Sequence, residues 1–254
     1  MARNRLAGGN DGGAVRMGAT VRRPARAWTE SVHHLLRHLE RKGFAGAPRA
    51  LGIDSDGREI LTFLDGETVG DHPVWPEWTR AEDTLLQVAW WLRAYHEAVA
   101  DFVPPADARW RIGPPWSPGS IIGHNDAGPF NAAWRSGRLV GFFDWDFAGP
   151  TTVGSDVAWM ALAWVPLYAR RVAAAEGFTD FAARPRRLRL FLDAYGWTGN
   201  PELIIKEVQA RMSVRIGEIR RFGVTDDELY VRLLERGVAD DLDLAIRELD
   251  DFLR

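Results

Sequence analysis

The chain has 254 residues, 46% of them hydrophobic and 26% charged, an ordinary globular composition with enough length to bury a sizeable core. A net charge of −3 argues against a partner held by phosphate neutralisation, so no nucleic acid is expected; no run of about 18 apolar residues offers a membrane span. The absence of cysteine removes disulfides and thiolate metal sites, and "MARNRLAGGNDGG" lacks the apolar core of a signal peptide, so the expected location is cytoplasmic.

In chain order, "AVRMGATVRRP" reads as a β-hairpin turning at Gly18-Ala19, and "RALGIDSDGREILTFL" as a second one turning at Asp56-Gly57. Between them Val32, Leu35, Leu36 and Leu39 recur at helical spacing, with Thr29 as expected N-cap and Gly43 as terminator. After the connector "GDHPVWPEW" the pattern becomes mainly helical. A helix over Glu82–Val99 carries Leu85, Ala89, Leu92, His96 and Val99 on one stripe. A third hairpin, "NAAWRSGRLVGFFDWD", turns at Ser136-Gly137. Helices are then expected over 155–172, 185–195, 201–221 and 226–252, the last opened by a capping box from Thr225 to Glu228 and broken at Gly237. Residues 184–221 hold nine Lys/Arg against four Asp/Glu, and residues 225–254 hold four against ten. Complementary solvated helix faces are the favoured reading; an acidic wall for a cationic ligand is the alternative.

Chemistry concentrates in "GHNDAGPFN", residues 123–131, and in Asp144 beyond the third hairpin. Phosphoryl transfer needs a group that orients an attacking hydroxyl and takes its proton, together with oxygen ligands for Mg²⁺. Asp126 can do the first; Asn131 and Asp144 can supply the second. The order His, Asp-x₄-Asn, then a strand-terminal Asp follows the catalytic loop and metal-binding Asp of the protein-kinase signature. Of 32 basic residues only Lys42 and Lys206 are lysine, and neither sits in a G-x-x-x-x-G-K-[ST] loop, which excludes that kind of nucleotide site.

"GHNDAGPFN" followed by "GFFDWD" resembles the aminoglycoside phosphotransferase family, and the resemblance extends over "VRRPARAWTESVHHLLRHLERKGFAGAPRALGID" and "LRAYHEA". It implies an α+β, two-lobed protein-kinase-like fold, with a nucleotide-binding lobe over 1–64 and a hinge with a helical lobe over 65–254. It further implies ATP and Mg²⁺ as cofactors, a small-molecule hydroxyl acceptor, Asp126 as catalytic base, and Asn131 and Asp144 as metal ligands. Asp156 resembles an acid that buttresses the catalytic loop, and His124 one that braces it.

Under the same resemblance Gly8, Gly9, Gly12 and Gly13 form the loop over the phosphates, with Asn10 in place of the middle glycine, and Val15 follows it. Val21 lines the adenine and Arg23, one alternation further, reaches the phosphates in place of lysine. Phe63 and Leu64 offer main-chain groups to the adenine edge. Two departures stand out. Asn125 occupies a position that is most often glycine, which suits a positive φ. The helix position that should hold a glutamate for the phosphate cation falls near Val32 or His33, which leaves Glu30 reaching in, or no such pair.

Two rival readings remain. "LVGFFDWDFAGPT" also resembles the start of haloacid-dehalogenase-like phosphatases, with Asp144 as nucleophile and Asp146 as helper, which requires parallel strands to follow. The other rival is a nucleotide-binding module or pseudokinase without transfer activity. His33, His34, His38 and His96 read as core or surface residues, and no HExxH pair supports zinc.

Overall fold

The structure, a computed structural model, describes residues 3–5, 13–70, 74–225, 227–250 and 252. It falls into two compact units. One comprises residues 1–71 and 87–156, the other 72–86 and 157–254.

The first unit opens with a five-stranded antiparallel sheet of β1 (Arg3–Arg5), β2 (Val15–Met17), β3 (Thr20–Pro24), β4 (Ala50–Ile53) and β5 (Arg58–Thr62), ordered β1-β2-β3-β5-β4. The two hairpins turn where expected, with Gly18 and Gly57 at φ 62° and 72°. Helix α1 (Thr29–Arg41) lies between β3 and β4 in the chain and buries Val32, Leu35, Leu36 and Leu39, each worth about 1.5–3 kcal/mol of apolar burial. Its cap differs from expectation. Trp28 is the N-cap residue, Thr29 begins the helix, and the Thr29 hydroxyl accepts the Arg26 N–H at 2.8 Å.

Helix α2 (Glu82–Val99) buries the whole expected stripe. Then come β6 (Ile121–Gly123), the hairpin of β7 (Ala132–Arg135) and β8 (Arg138–Phe142), and β9 (Gly149–Thr151), which pairs antiparallel with β6. Ser136 and Gly137 both take positive φ, 50° and 73°, as a two-residue hairpin turn requires. Strand β9 was not anticipated, because three residues containing Gly149 and Pro150 carry no alternation to read.

Beyond β9 the chain is helical: α3 (Val153–Trp164), α4 (Arg170–Ala175), α5 (Arg184–Tyr195), α6 (Pro201–Phe222), α7 (Glu228–Glu235) and α8 (Val238–Asp250). The single helix expected over 155–172 is two, interrupted around Pro166, whose ring and missing N–H end α3. The break at Gly237 is present. The expected capping box is not: Asp227 caps α7 by accepting the Leu229 N–H at 3.1 Å, while the Thr225 hydroxyl turns back to Phe222 O.

Within the second unit the two charge runs meet through Arg220, which pairs with Asp243 and with Asp240 at 3.6 Å, while Arg171, before the basic run, pairs with Asp241 at 2.6 Å. That is the complementary-face reading. Arg184 and Arg187 are buried and donate to carbonyls, Tyr168 O for the first and Arg80 O and Trp164 O for the second. Burial pushes both guanidinium groups down to about 10.

Candidate active site

The segment from Gly123 to Asn131 leaves β6, passes a short 3₁₀ turn at Pro129–Asn131 and enters β7. Several buried groups fix it. The Tyr95 hydroxyl on α2 donates to Ile122 O at 2.5 Å. His96, also on α2, contacts the Asp156 carboxylate on α3 at 3.1 Å, both side chains being almost fully buried. That carboxylate lies against Gly123, where an added Cβ would come within 2.8 Å of Asp156 Oδ1, so glycine is what admits the acid. Asp156 is thus positioned to brace the loop from behind.

Asn125 has φ 59°, the left-handed conformation in which asparagine replaces glycine most readily. Its side chain adds something a glycine lacks: Nδ2 lies 3.3 Å from Gly123 O, 3.2 Å from Phe147 O and 3.2 Å from Gly149 O, tying the loop to the chain on either side of Ala148. Asn125→Gly should therefore lower stability by about 2 kcal/mol despite the permissive backbone, because buried carbonyls lose their donor. A melting temperature unchanged within a degree would contradict this.

His124 is fully buried, packed on the Trp145 indole at 4.4 Å between ring centroids, with Nε2 3.2 Å from Phe143 O and Nδ1 left without a partner. Burial pushes its pKa down to about 4, against the pull of Asp156 and Asp144. It is a neutral brace, not a proton carrier. An unfolded chain takes up a proton here near pH 6.5 that the folded chain refuses until about pH 4, so stability should fall as pH drops through that window, by up to about 3 kcal/mol. His124→Gln keeps a donor and cannot titrate; its denaturant midpoint should vary less than that of wild type between pH 7 and pH 5. Equal slopes would refute the assignment.

Asp126 is half-buried and Asn131 buried. Asn131 Nδ2 donates to Asp126 Oδ2 at 2.8 Å and to Asp126 O at 2.9 Å, which leaves the amide oxygen as its remaining polar atom. Phe143 N–H donates to Asn131 O at 2.9 Å, so the hairpin register sets Asp144 beside the loop. Asp144 has φ 59° and ψ 70°, a left-handed residue at the end of β8.

Arg23 reaches Asp144. Its Nη1 donates to Asp144 Oδ1 at 2.9 Å, its Nη2 to Asp146 Oδ1 at 2.5 Å and its Nε to Glu59 Oε1 at 2.5 Å. Burial works against the guanidinium's charge, but Asp146, Asp144 and Glu59 hold its pKa above the ordinary value. Burial raises the Glu59 carboxyl and is outweighed by the His33 hydrogen bond and Arg23, so this acid sits below its usual range. Asp146 is raised, chiefly by burial, with Arg23 opposing and Asp144 adding to the rise. Near Asp146, Arg111 lies between the Trp28 and Phe147 rings at 4.9 and 4.8 Å.

For a divalent cation the donor chemistry fits: a second oxygen on Asp144, the Asn131 amide oxygen, and carboxylates that outnumber the one guanidinium three to one. Among the described residues no three His, Cys, Asp or Glu side chains converge as a ready-made metal site.

The remaining sequence-predicted residues are placed as follows. Gly8, Gly9 and Gly12 lie outside the described residues; Gly13 takes φ 127° and its carbonyl accepts from Arg58 at 2.6 Å. Val21 and Arg23 share a sheet face, as alternation predicts, whereas Val15 pairs with Arg22 and so lies on the opposite face from Val21. The Phe63 N–H is bonded to Ala19 O at 2.8 Å, and its ring lies under Arg16, leaving the Phe63 carbonyl and Leu64 main chain for any edge pairing. Glu59 was missed. The acid that holds Arg23 comes from a strand and not from the helix, because the pairing of β3 with β5 sets Glu59 directly opposite Arg23. The phosphatase reading loses its ground, since Asp144 ends an antiparallel hairpin and no parallel strand follows among the described residues.

Residues 75–191 match the model of the phosphotransferase enzyme family. A trifolitoxin immunity protein of Rhizobium leguminosarum bv. trifolii is 38% identical over 196 residues, covering 75% of this chain and 73% of that protein. Among solved structures, an amicoumacin kinase in complex with AMP-PNP, Ca²⁺ and Ami has a TM-score of 0.63 at 12% identity, over 94% of this chain and 88% of that one. A glucosamine kinase in complex with glucosamine, ADP and inorganic phosphate has a TM-score of 0.63 at 17% identity, over 99% and 80%. At such identities the two structures speak for the fold alone, which is the α+β protein-kinase-like one. The match of family model and relative, over a chain whose acid, amide and brace residues meet around one loop, makes this protein a member of the aminoglycoside phosphotransferase family.

Proposed function

We propose that this protein is a Mg²⁺- and ATP-dependent O-phosphotransferase acting on a hydroxyl of a small molecule. The observation that carries the reading is the fixed contact of Asp126 with Asn131, whose main chain in turn anchors the strand end bearing Asp144. Asp126 orients the acceptor hydroxyl and takes its proton as the new oxygen–phosphorus bond forms and the bond to the departing diphosphate breaks. Bound through Asn131 and Asp144, Mg²⁺ would offset charge on the phosphates. Arg23 and the loop of Gly8, Gly9, Gly12 and Gly13 settle the phosphates, Val21 contacts the adenine, and the Phe63 carbonyl with the Leu64 main chain meets its edge. Val15, on the other face, takes no part.

The relative named as an immunity protein directs the acceptor search toward antimicrobial compounds. The test is acceptor-dependent ADP release across hydroxyl-bearing antimicrobials, sugars and amino alcohols, with survival of a sensitive host as companion. Binding of Mg-ATP with no turnover on any acceptor would move the assignment to a nucleotide-binding module.

A further inference from the structure

Arg23 faces an arrangement that a lysine could not satisfy. Its three guanidinium nitrogens go to three different carboxylates on three different segments: Nε to Glu59 on β5, Nη1 to Asp144 at the end of β8, Nη2 to Asp146 in the turn that follows. An ammonium is one point on a flexible stem and cannot span that set.

The acid nearest the guanidinium stem, Glu59, is itself held. Its Oε1 accepts from Arg23 and its Oε2 is 3.1 Å from His33 Nε2 on α1. An ionised carboxylate only accepts, so His33 is the donor, and with both oxygens engaged the carboxylate plane is fixed. Glu59 is 1% and His33 3% exposed, so neither competes with water for these bonds. Helix α1 contributes no acid of its own: Glu30 is exposed, and Glu40 turns outward to Arg49 at 3.4 Å.

We propose that Glu59, clamped by His33, is the positioning residue that aims Arg23 at the nucleotide phosphates, and that its three-way grip makes arginine obligatory at position 23. A strand acid and a helix histidine thereby share the work that a helix glutamate would do alone. The proposal rests on the phosphotransferase reading only through its assumption that a nucleotide triphosphate binds.

The test compares Glu59→Gln, Arg23→Lys, His33→Leu and His33→Gln on the full chain. Affinity for Mg–AMP-PNP is measured by calorimetry, with melting temperature alongside and ATP KM and kcat where an acceptor is known. Glu59→Gln and Arg23→Lys should each weaken nucleotide binding by about tenfold or more, the scale of one lost charge-assisted hydrogen bond. His33→Leu should weaken it too, and His33→Gln, which restores a donor, should recover most of the loss. If these variants lower only the melting temperature while nucleotide affinity stays at the wild-type value, the cluster is structural and the proposal falls. Should Glu59→Gln not fold, the Arg23→Lys and His33 pair decide the matter by the same readout. A wild-type protein that binds nucleotide but turns over no acceptor defeats the phosphotransferase reading and leaves the Glu59–His33 clamp to be judged by binding. One that binds no nucleotide overturns both.

Discussion

Asp126→Asn should reduce acceptor phosphorylation on the order of 10³-fold while leaving nucleotide affinity and melting temperature near wild type. The change keeps the side chain's size and removes its negative charge and its capacity to take a proton. The Asn131 Nδ2 bond to the Asp126 main-chain oxygen, 2.9 Å, does not depend on the acid and should hold the loop. The braces behind it, Tyr95 on Ile122 O and His96 on Asp156, are equally untouched. Loss of kcat with unchanged ATP affinity is therefore the signature of a group acting only in the transition state. Steady-state rates with a competent acceptor provide the measurement. Retention of activity within threefold would remove Asp126 from the mechanism and with it the present assignment of the loop.

Much of this site could be read from the sequence because its parts lie close together in the chain. Asp126 and Asn131 sit in one loop, and the hairpin that carries Asp144 next to them is local, its turn written in Ser136-Gly137. The positive φ at Asn125 was legible for the same reason: side-chain chemistry at one position constrains one backbone angle. The second role of Asn125, its amide bonds to carbonyls 22 and 24 residues away, was not. Glu59 was hidden by the same distance effect, since it lies 36 residues from Arg23 and meets it only through strand register. A signal did exist. Arg23 and Glu59 belong to two separate hairpins that can join into one sheet, and charges of opposite sign across paired strands favour each other. His33 could be named as standing where an acid was expected, but its partner could not. The missed break at Pro166 is different in kind, because the proline was in plain view within "AWVPLYARR" and its effect on a helix is general.

Asp144→Asn tests the other half of the chemistry and should split stability from activity. Asparagine tolerates the left-handed backbone at φ 59°, so the turn after β8 should keep its shape. The amide oxygen can still accept from Arg23 Nη1, now 2.9 Å from the carboxylate. Removing one negative charge also relieves Asp146, whose carboxyl Asp144 helps to push upward. Net stability should thus stay within about 1 kcal/mol of wild type, since the lost ion pair and the lost repulsion offset each other. Function should move the other way. With one anionic oxygen fewer beside Asn131, the Mg²⁺ concentration for half-maximal turnover should rise about tenfold or more, and kcat should fall by roughly 10²-fold. Titrating Mg²⁺ at saturating ATP reads the first effect, and thermal melts of the same preparation read the absence of the second cost. An unchanged Mg²⁺ requirement would remove Asp144 from the metal site. If instead the variant loses several kcal/mol of stability, the Arg23 cluster is first of all a folding element, and the surplus of carboxylates around one guanidinium has a structural reason instead of a catalytic one.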